Sequence, residues 1–238
     1  MPPVSPLAIV MTRTVEPSRL LHPPVPGCGD RALLRAAGVP PERASPRMLR
    51  EARGALGRVR ATARPAAVVC GAALGVDNGV ARVAGGETIE SNLLGRVLAT
   101  CDRLVVFAAT LGAQVDRLIA GARDGLEAYM LDAAASRLAE DLGDLVRNQV
   151  AAGLDEELGA TWRYGPGTCD WDVRGQELVF GLLDAGLAGM KINEHCMMTP
   201  RKSVSGVVGI GPRDQVARTG CACRCCPRRD CAHRRSWP

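Results

Sequence analysis

Apolar positions along this chain change period several times, and each change predicts an element. From residue 30 to residue 60 they recur at helical spacing, with a break at Pro40–Pro41. Beyond the break Ser45 can cap a second helix, Pro46 suits its first turn, and Met48, Leu49, Ala52 and Leu56 share a face. Residues 66–84, AAVVCGAALGVDNGVARVA, are instead short apolar runs around Asn78-Gly79, a strong two-residue hairpin signal. Ser91 then opens a helix with Leu94, Val97 and Leu98 on one side. RLVVFAATLG, Arg103 to Gly112, reads as a buried strand turning at Gly112, with a helix following through Ile119. The longest helical pattern runs from about Leu126 to Leu158 and carries Met130, Leu131, Ala134, Leu138, Leu142, Leu145 and Val150; Gly143 and Gly153 mark a bend or a close contact in it.

The last third is denser in signals. Gly165, Pro166 and Gly167 form a tight turn, and residues 172–183 read as a helix with Val173, Leu178, Val179 and Leu182 as its apolar positions. GMKINE (189–194) and SVSGVVGIG (203–211) read as strands joined by HCMMTPRK. In the second, Ser203 and Ser205 fall on one face and Val204 on the other, because side chains alternate along a strand. No internal repeat is present. The layout predicts an α+β fold of helices and a mostly antiparallel sheet. It divides into a flexible Pro-rich extension (1–29), one α+β domain (30–212) and a Cys-rich basic tail (213–238).

Composition adjusts this picture. With 238 residues, 47% hydrophobic and 23% charged, the chain can bury a sizeable core, and at 3% aromatic that core must be aliphatic and rich in Ala. The net charge of +5 lies partly in Arg224, Arg228, Arg229, Arg234 and Arg235. A basic tail suits an acidic partner or nucleic acid, but without interleaved aromatics nucleic acid is not the expected partner. No apolar run reaches the roughly 18 residues needed to cross a bilayer, and Leu7–Met11 is a poor signal peptide, so a cytoplasmic protein that does not engage membranes is expected.

Of the ten cysteines, Cys221, Cys223, Cys225, Cys226 and Cys231 crowd into the tail, while Cys28, Cys70, Cys101, Cys169 and Cys196 are scattered. In a cytosolic chain such crowding points to metal or redox chemistry rather than a disulfide frame. The Cys223-x-x-Cys226 pair with Cys231 suits Zn²⁺ or an iron–sulfur cluster. The fourth ligand can be Cys221, Cys225, Cys196 or Cys169, and His233 is a further zinc candidate. The plain alternative is a tail of reactive thiols.

Three more stretches carry candidate chemistry, each with a plain reading beside it. Arg163, heading RYGPG, can hold a carboxylate in two-pronged fashion, or is a surface residue at a turn. Glu194 can accept from a ribose hydroxyl or an amine, and Ser203 and Ser205 can bind polar ligand groups, or all three line an exposed edge strand. Thr110 in FAATLG can approach a ligand, or merely turns strand into helix. Three histidines support no Ser/His/Asp triad, and neither a P-loop nor a complete dinucleotide fingerprint is present.

Taken together, RYGPGTCDW, NEHCMMTPRKSVSG, TLGAQVDRLI with YMLDAAASRLAEDL, and the closing cysteine cluster resemble the vitamin B12-dependent methionine synthase activation domain superfamily, and in particular its short stand-alone proteins. The resemblance spans about residues 30–235. It implies a curved, mostly antiparallel sheet flanked by helices, and a shallow groove for S-adenosylmethionine. It implies a methyltransferase component for reductive activation: one electron converts the Co(II) corrinoid of a partner to Co(I), and the sulfonium methyl traps it. By this resemblance Arg163 takes the methionine carboxylate, Gly165, Pro166 and Gly167 lie along the ligand, and Glu194, Ser203, Ser205 and Gly206 complete the site. The family's usual Tyr after Pro-Gly is Thr168 here, which cannot stack on a ring. The chain has no room for homocysteine, folate or cobalamin domains. The expected partners are therefore a separate methionine synthase or corrinoid protein and an electron donor such as flavodoxin or ferredoxin, whose place a metal-bearing tail can take. The alternative is a non-catalytic small-molecule or metal-binding module acting as sensor or assembly factor.

Overall fold

The computed structural model describes residues 15–224 and 226–229. Its centre is an antiparallel sheet whose middle strands are apolar on both faces. The strands are β1 (Arg19–Leu21), β2 (Ala66–Asp77), β3 (Val80–Val83), β4 (Thr88–Ile89), β5 (Arg103–Thr110), β6 (Leu158–Tyr164) and, after a small separate hairpin β7 (Lys191–Ile192) and β8 (Met198–Thr199), β9 (Ser203–Pro212). Their order is β4-β3-β2-β5-β9-β6, with β1 also on β2. The helices are α1 (Asp30–Ala36), α2 (Pro46–Thr62), α3 (Asn92–Val97), α4 (Ala113–Ala120), α5 (Gly125–Ala152), α6 (Gly175–Leu182) and α7 (Arg213–Thr219).

The continuous apolar runs in β2 and β5 follow from their position between two helical layers. Ala67, Val69, Val105, Phe107 and Ala109 face a core shared with α1, α2, α4 and α5. Their neighbours Val68, Cys70, Leu104, Val106 and Ala108 face a second core with α3, α6 and α7. The helix starts obey local chemistry. Ser45 accepts from Met48 N at 3.2 Å, Ser91 from Leu94 N at 3.0 Å and Asp124 from Glu127 N at 2.8 Å. Such caps typically contribute about 1 kcal/mol each.

Three expectations change. The long helix stops at Ala152 with Gly153 as its C-cap, and Leu158 begins β6, which pairs with β9 from Leu158↔Pro212 to Tyr164↔Val207. Leu154 and Leu158 continue the helical spacing, so periodicity alone did not mark the change. Second, HCMMTPRK is not all connection. Lys191 and Ile192 pair with Thr199 and Met198, so Met198-Thr199 is strand rather than connection. Third, residues 15–29 are not a flexible extension. β1 pairs with β2 at Arg19↔Val69, Ser18 Oγ accepts from Asp184 N at 2.8 Å, and Pro23 and Pro26 are buried. Residues 1–14 lie outside the described part.

Candidate functional site

The centre of the sheet carries the motifs, and the alternation of β6 and β9 sorts them onto two faces. Arg163 points toward α5. Its Nε donates to Asp144 Oδ1 at 2.7 Å, and Nη2 donates to the Glu140 backbone oxygen at 2.9 Å and to the Glu140 carboxylate. Its side chain is 8% exposed, against 53% for Glu140 and 30% for Asp144. Burial opposes the guanidinium charge, but the two carboxylates outweigh it and hold its pKa above the ordinary value. Nη1 makes no hydrogen bond among the described residues. Gly143 makes room for this approach, since a Cβ there would lie 2.9 Å from Arg163 Nε and 3.0 Å from Val204 Cγ2.

One turn and two turns back along α5 the pattern repeats with a lysine. Lys202, just before β9, donates from Nζ to Asp132 Oδ1 at 2.7 Å and to Ser136 Oγ at 2.9 Å. Asp132, Ser136, Glu140 and Asp144 are spaced by four, which places them along one stripe of the helix. Beside the stripe Arg137 donates from Nε to Asp141 at 3.0 Å. Burial raises the pKa of Asp141 against the pull of Arg137. The half-buried Cys28 thiol is also pushed up, by burial and then by Asp141. Glu140, Asp144, Asp132 and Lys202 were missed by reading motifs alone. The four-residue spacing of polar groups in a long apolar helix was the signal that marks the three carboxylates.

The serines lie on the other face. Ser205 Oγ donates to Gln176 Oε1 of α6 at 2.7 Å, and Ser203 Oγ donates to the Pro200 backbone oxygen at 2.6 Å. Ser203 and Ser205 do share a face and Val204 takes the other, but both hydroxyl protons are committed inside the protein. Glu194 stands apart at the tip of the β7–β8 hairpin, 84% exposed and 3.6 Å from His195. Asn193 Oδ1 shapes that tip by accepting from His195 N at 3.0 Å and Met197 N at 2.9 Å. The expected single wall of Arg163, Glu194, Ser203 and Ser205 is therefore three separate environments, because adjacent strands set Arg163 and Ser205 on opposite sides of the sheet.

Gly165 and Gly206 mark a close approach of the two backbones just beyond the last β6–β9 pair. A Cβ on Gly165 would lie 2.6 Å from Ser205 O, and one on Gly206 would lie 2.2 Å from Tyr164 O. Pro166 and Gly167 continue into a loop closed by Thr168 N→Gly165 O at 3.1 Å and Gly167 N→Trp171 O at 2.8 Å. Gly167 has φ of 84° and open space beside it. Thr168 spends its hydroxyl on Gly165 O. Thr110 Oγ1 accepts from Gly112 N at 3.1 Å and serves the strand-to-helix turn.

The cysteine segment begins beside the same loop. Trp162 N donates to Gly220 O at 3.0 Å, and the Tyr164 hydroxyl donates to Gly220 O at 3.1 Å while accepting from Ala222 N at 2.7 Å. Cys221 is buried; Cys223 and Cys226 are half-buried. Cys225, Cys231 and His233 lie outside the described residues. Among the described residues no three Cys, His, Asp or Glu side chains are grouped to hold a metal ion, and no helix is long and apolar enough to cross a membrane.

Comparison with known proteins agrees with the architecture. The family model described as "Vitamin B12 dependent methionine synthase, activation domain" matches residues 96–220. That span holds β5, α5, the RYGPG loop and β9, and it ends just before Cys221, the first cysteine of the tail. No curated protein matches the chain significantly. Among solved structures, "Crystal Structure of the MetH Reactivation Domain bound to AdoHcy" is similar with a TM-score of 0.59 at 18% identity, covering 85% of this chain and 82% of that one. At that identity the likeness speaks for the fold alone.

Proposed function

The chain belongs to the vitamin B12-dependent methionine synthase activation domain family, and from that premise we propose that it binds S-adenosylmethionine and donates its methyl group in the reductive reactivation of a cobalamin carried by a separate methionine synthase or corrinoid protein. In this reaction a reduced carrier such as flavodoxin or ferredoxin supplies one electron, the methyl leaves sulfur for the corrinoid, and S-adenosylhomocysteine is released. The chain's own part is to hold the sulfonium substrate in line with the partner's cofactor.

The observation that carries the reading is the arrangement of Arg163 between Glu140 and Asp144 at the root of the Gly165–Gly167 loop. A methionine end is a zwitterion. A preorganised guanidinium with an uncommitted Nη1 suits its carboxylate, and the half-exposed Glu140 suits its ammonium group. Gly167, open to solvent, permits close passage of a ligand along the loop. Ser203 and Ser205 enter this reading as supports of the loop's neighbour strand, and Glu194 as a surface group. The cysteine tail is read as a thiophilic metal site, zinc or iron–sulfur, through Cys221, Cys223, Cys225, Cys226 and Cys231.

Calorimetric titration with S-adenosylmethionine tests the reading. The wild-type chain should bind, and Arg163→Lys, which keeps the charge but loses the fork, should weaken binding by about tenfold or more, as loss of a charge-assisted hydrogen bond implies. Undiminished binding by a folded Arg163→Lys chain contradicts the assignment. Binding without methylation of a reduced corrinoid protein would favour a sensor or assembly role.

A further inference from the structure

The loop after Tyr164 is fastened to a helix far from it in sequence. Asp170 Oδ2 accepts from Leu93 N at 3.1 Å, and Asp170 Oδ1 accepts from Ser91 Oγ. Ser91 in turn caps α3, accepting from Leu94 N at 3.0 Å. One carboxylate therefore reaches, directly and through Ser91, two of the backbone donors that a helix leaves unpaired at its start. Negative charge is favoured at that end of a helix. α3 is itself fixed. Leu94 and Val97 are buried, and a Cβ on Gly95 would lie 1.8 Å from Gly79 O of the β2–β3 turn.

Both ends of the loop are anchored by buried rings, Tyr164 and Trp171. A Cβ on Gly175 would lie 2.4 Å from Trp171 Nε1, so the indole has little freedom. Between these anchors Gly167 has φ of 84° and Cys169 has φ of 57°. A non-glycine residue seldom adopts such a value and keeps it where its surroundings over-determine it. Asp170, next in the chain, supplies that constraint by holding the returning limb of the loop against α3.

We infer that Asp170 is a positioning residue for the S-adenosylmethionine site. This rests on the reading of the Gly165–Gly167 loop as the bed of that ligand, and it names what holds the bed in place. Asp170 acts through the loop, keeping Gly167 in a set position relative to Arg163. Released from α3, the returning limb samples other backbone conformations. Binding must then order it again, an entropy cost that lowers affinity. The carboxylate suits the task because both of its oxygens accept. An amide has a single acceptor oxygen and keeps one of the two bonds in the same form.

The test uses the full-length chain and two readouts: hydrogen exchange of residues 165–171 without ligand, and calorimetric titration with S-adenosylmethionine. Asp170→Ala should speed exchange at Gly167, Thr168 and Trp171, whose amides are hydrogen-bonded within the loop, and should weaken binding about tenfold. Asp170→Asn should recover part of both, with binding weakened about threefold. Ser45→Ala, which removes a comparable cap from α2, should change neither. Wild-type exchange in a folded Asp170→Ala chain, or in Asp170→Asn if alanine unfolds the protein, overturns the inference. Faster exchange with undiminished binding overturns the positioning role and leaves the functional reading standing. No binding by the wild-type chain overturns that reading, and the positioning role with it.

Discussion

Ser205 on β9 donates to Oε1 of Gln176 on α6 at 2.7 Å, and both residues are buried. A serine that sequence motifs offer to a ligand is here a rivet between the sheet and a helix. Ser205→Ala should therefore lower stability by about 1–3 kcal/mol, because the Gln176 oxygen loses its partner in a dry site. Adding Gln176→Met should recover part of that loss. Urea unfolding of the single and double variants checks this, and additive losses would speak against the pair.

The close approach of backbone at Gly165 and Gly206 makes a sharper prediction. Gly206→Ala places a carbon 2.2 Å from a backbone oxygen, and Gly165→Ala places one 2.6 Å from another, so neither can be relieved by rotating a side chain. Both should cost more than about 3 kcal/mol or abolish folding. Gly167→Ala meets no atom within 4 Å and should cost only the left-handed backbone penalty, about 1 kcal/mol. Thermal melts of the three variants rank them.

Lys202 and Asp132 should respond unequally to truncation. The lysine side chain is 10% exposed and the aspartate 43%. Asp132→Ala strands a buried ammonium group and should cost about 2–3 kcal/mol. Lys202→Met fills the same space and lets Asp132 rehydrate, and should cost about 1 kcal/mol or less. Equal losses in denaturant unfolding would contradict this picture of the pair.

Burial pushes the Cys70 and Cys101 thiols up to about 12. A raised thiol pKa means that the folded state keeps a proton which the unfolded chain gives up above about pH 9. The stability these two groups contribute is thus full below pH 9 and is lost as the pH climbs toward 12, at about 1.4 kcal/mol per pH unit for each thiol. Unfolding free energies measured at pH 8 and pH 10 should differ accordingly, and the difference should shrink in the Cys70→Ala/Cys101→Ala chain.

Much of the fold was legible because it depends on neighbours in sequence. Ser45 with Pro46, Asn78-Gly79, Ser91 and the apolar runs of β2 and β5 mark their elements through capping, turn geometry and period. The resemblance to the family was carried by short motifs in one order, and the family match bears it out. What failed was β6, whose Leu158 keeps helical step with Leu154 while its backbone bonds are supplied by β9, some fifty residues downstream.

The sequence by itself determined the local conformations, the α+β class, and the residue types available for chemistry, since these follow from backbone sterics and side-chain pattern over a few residues. Only the tertiary structure decided which of those residues share a site. A side chain's face depends on the register of its strand against another, and the register of β6 on β9 sends Arg163 to α5 and Ser205 to α6. The same register brings Tyr164 to the start of the cysteine tail. Long-range pairing, paid in chain entropy and returned in burial, sets that choice, and no window of sequence contains both partners.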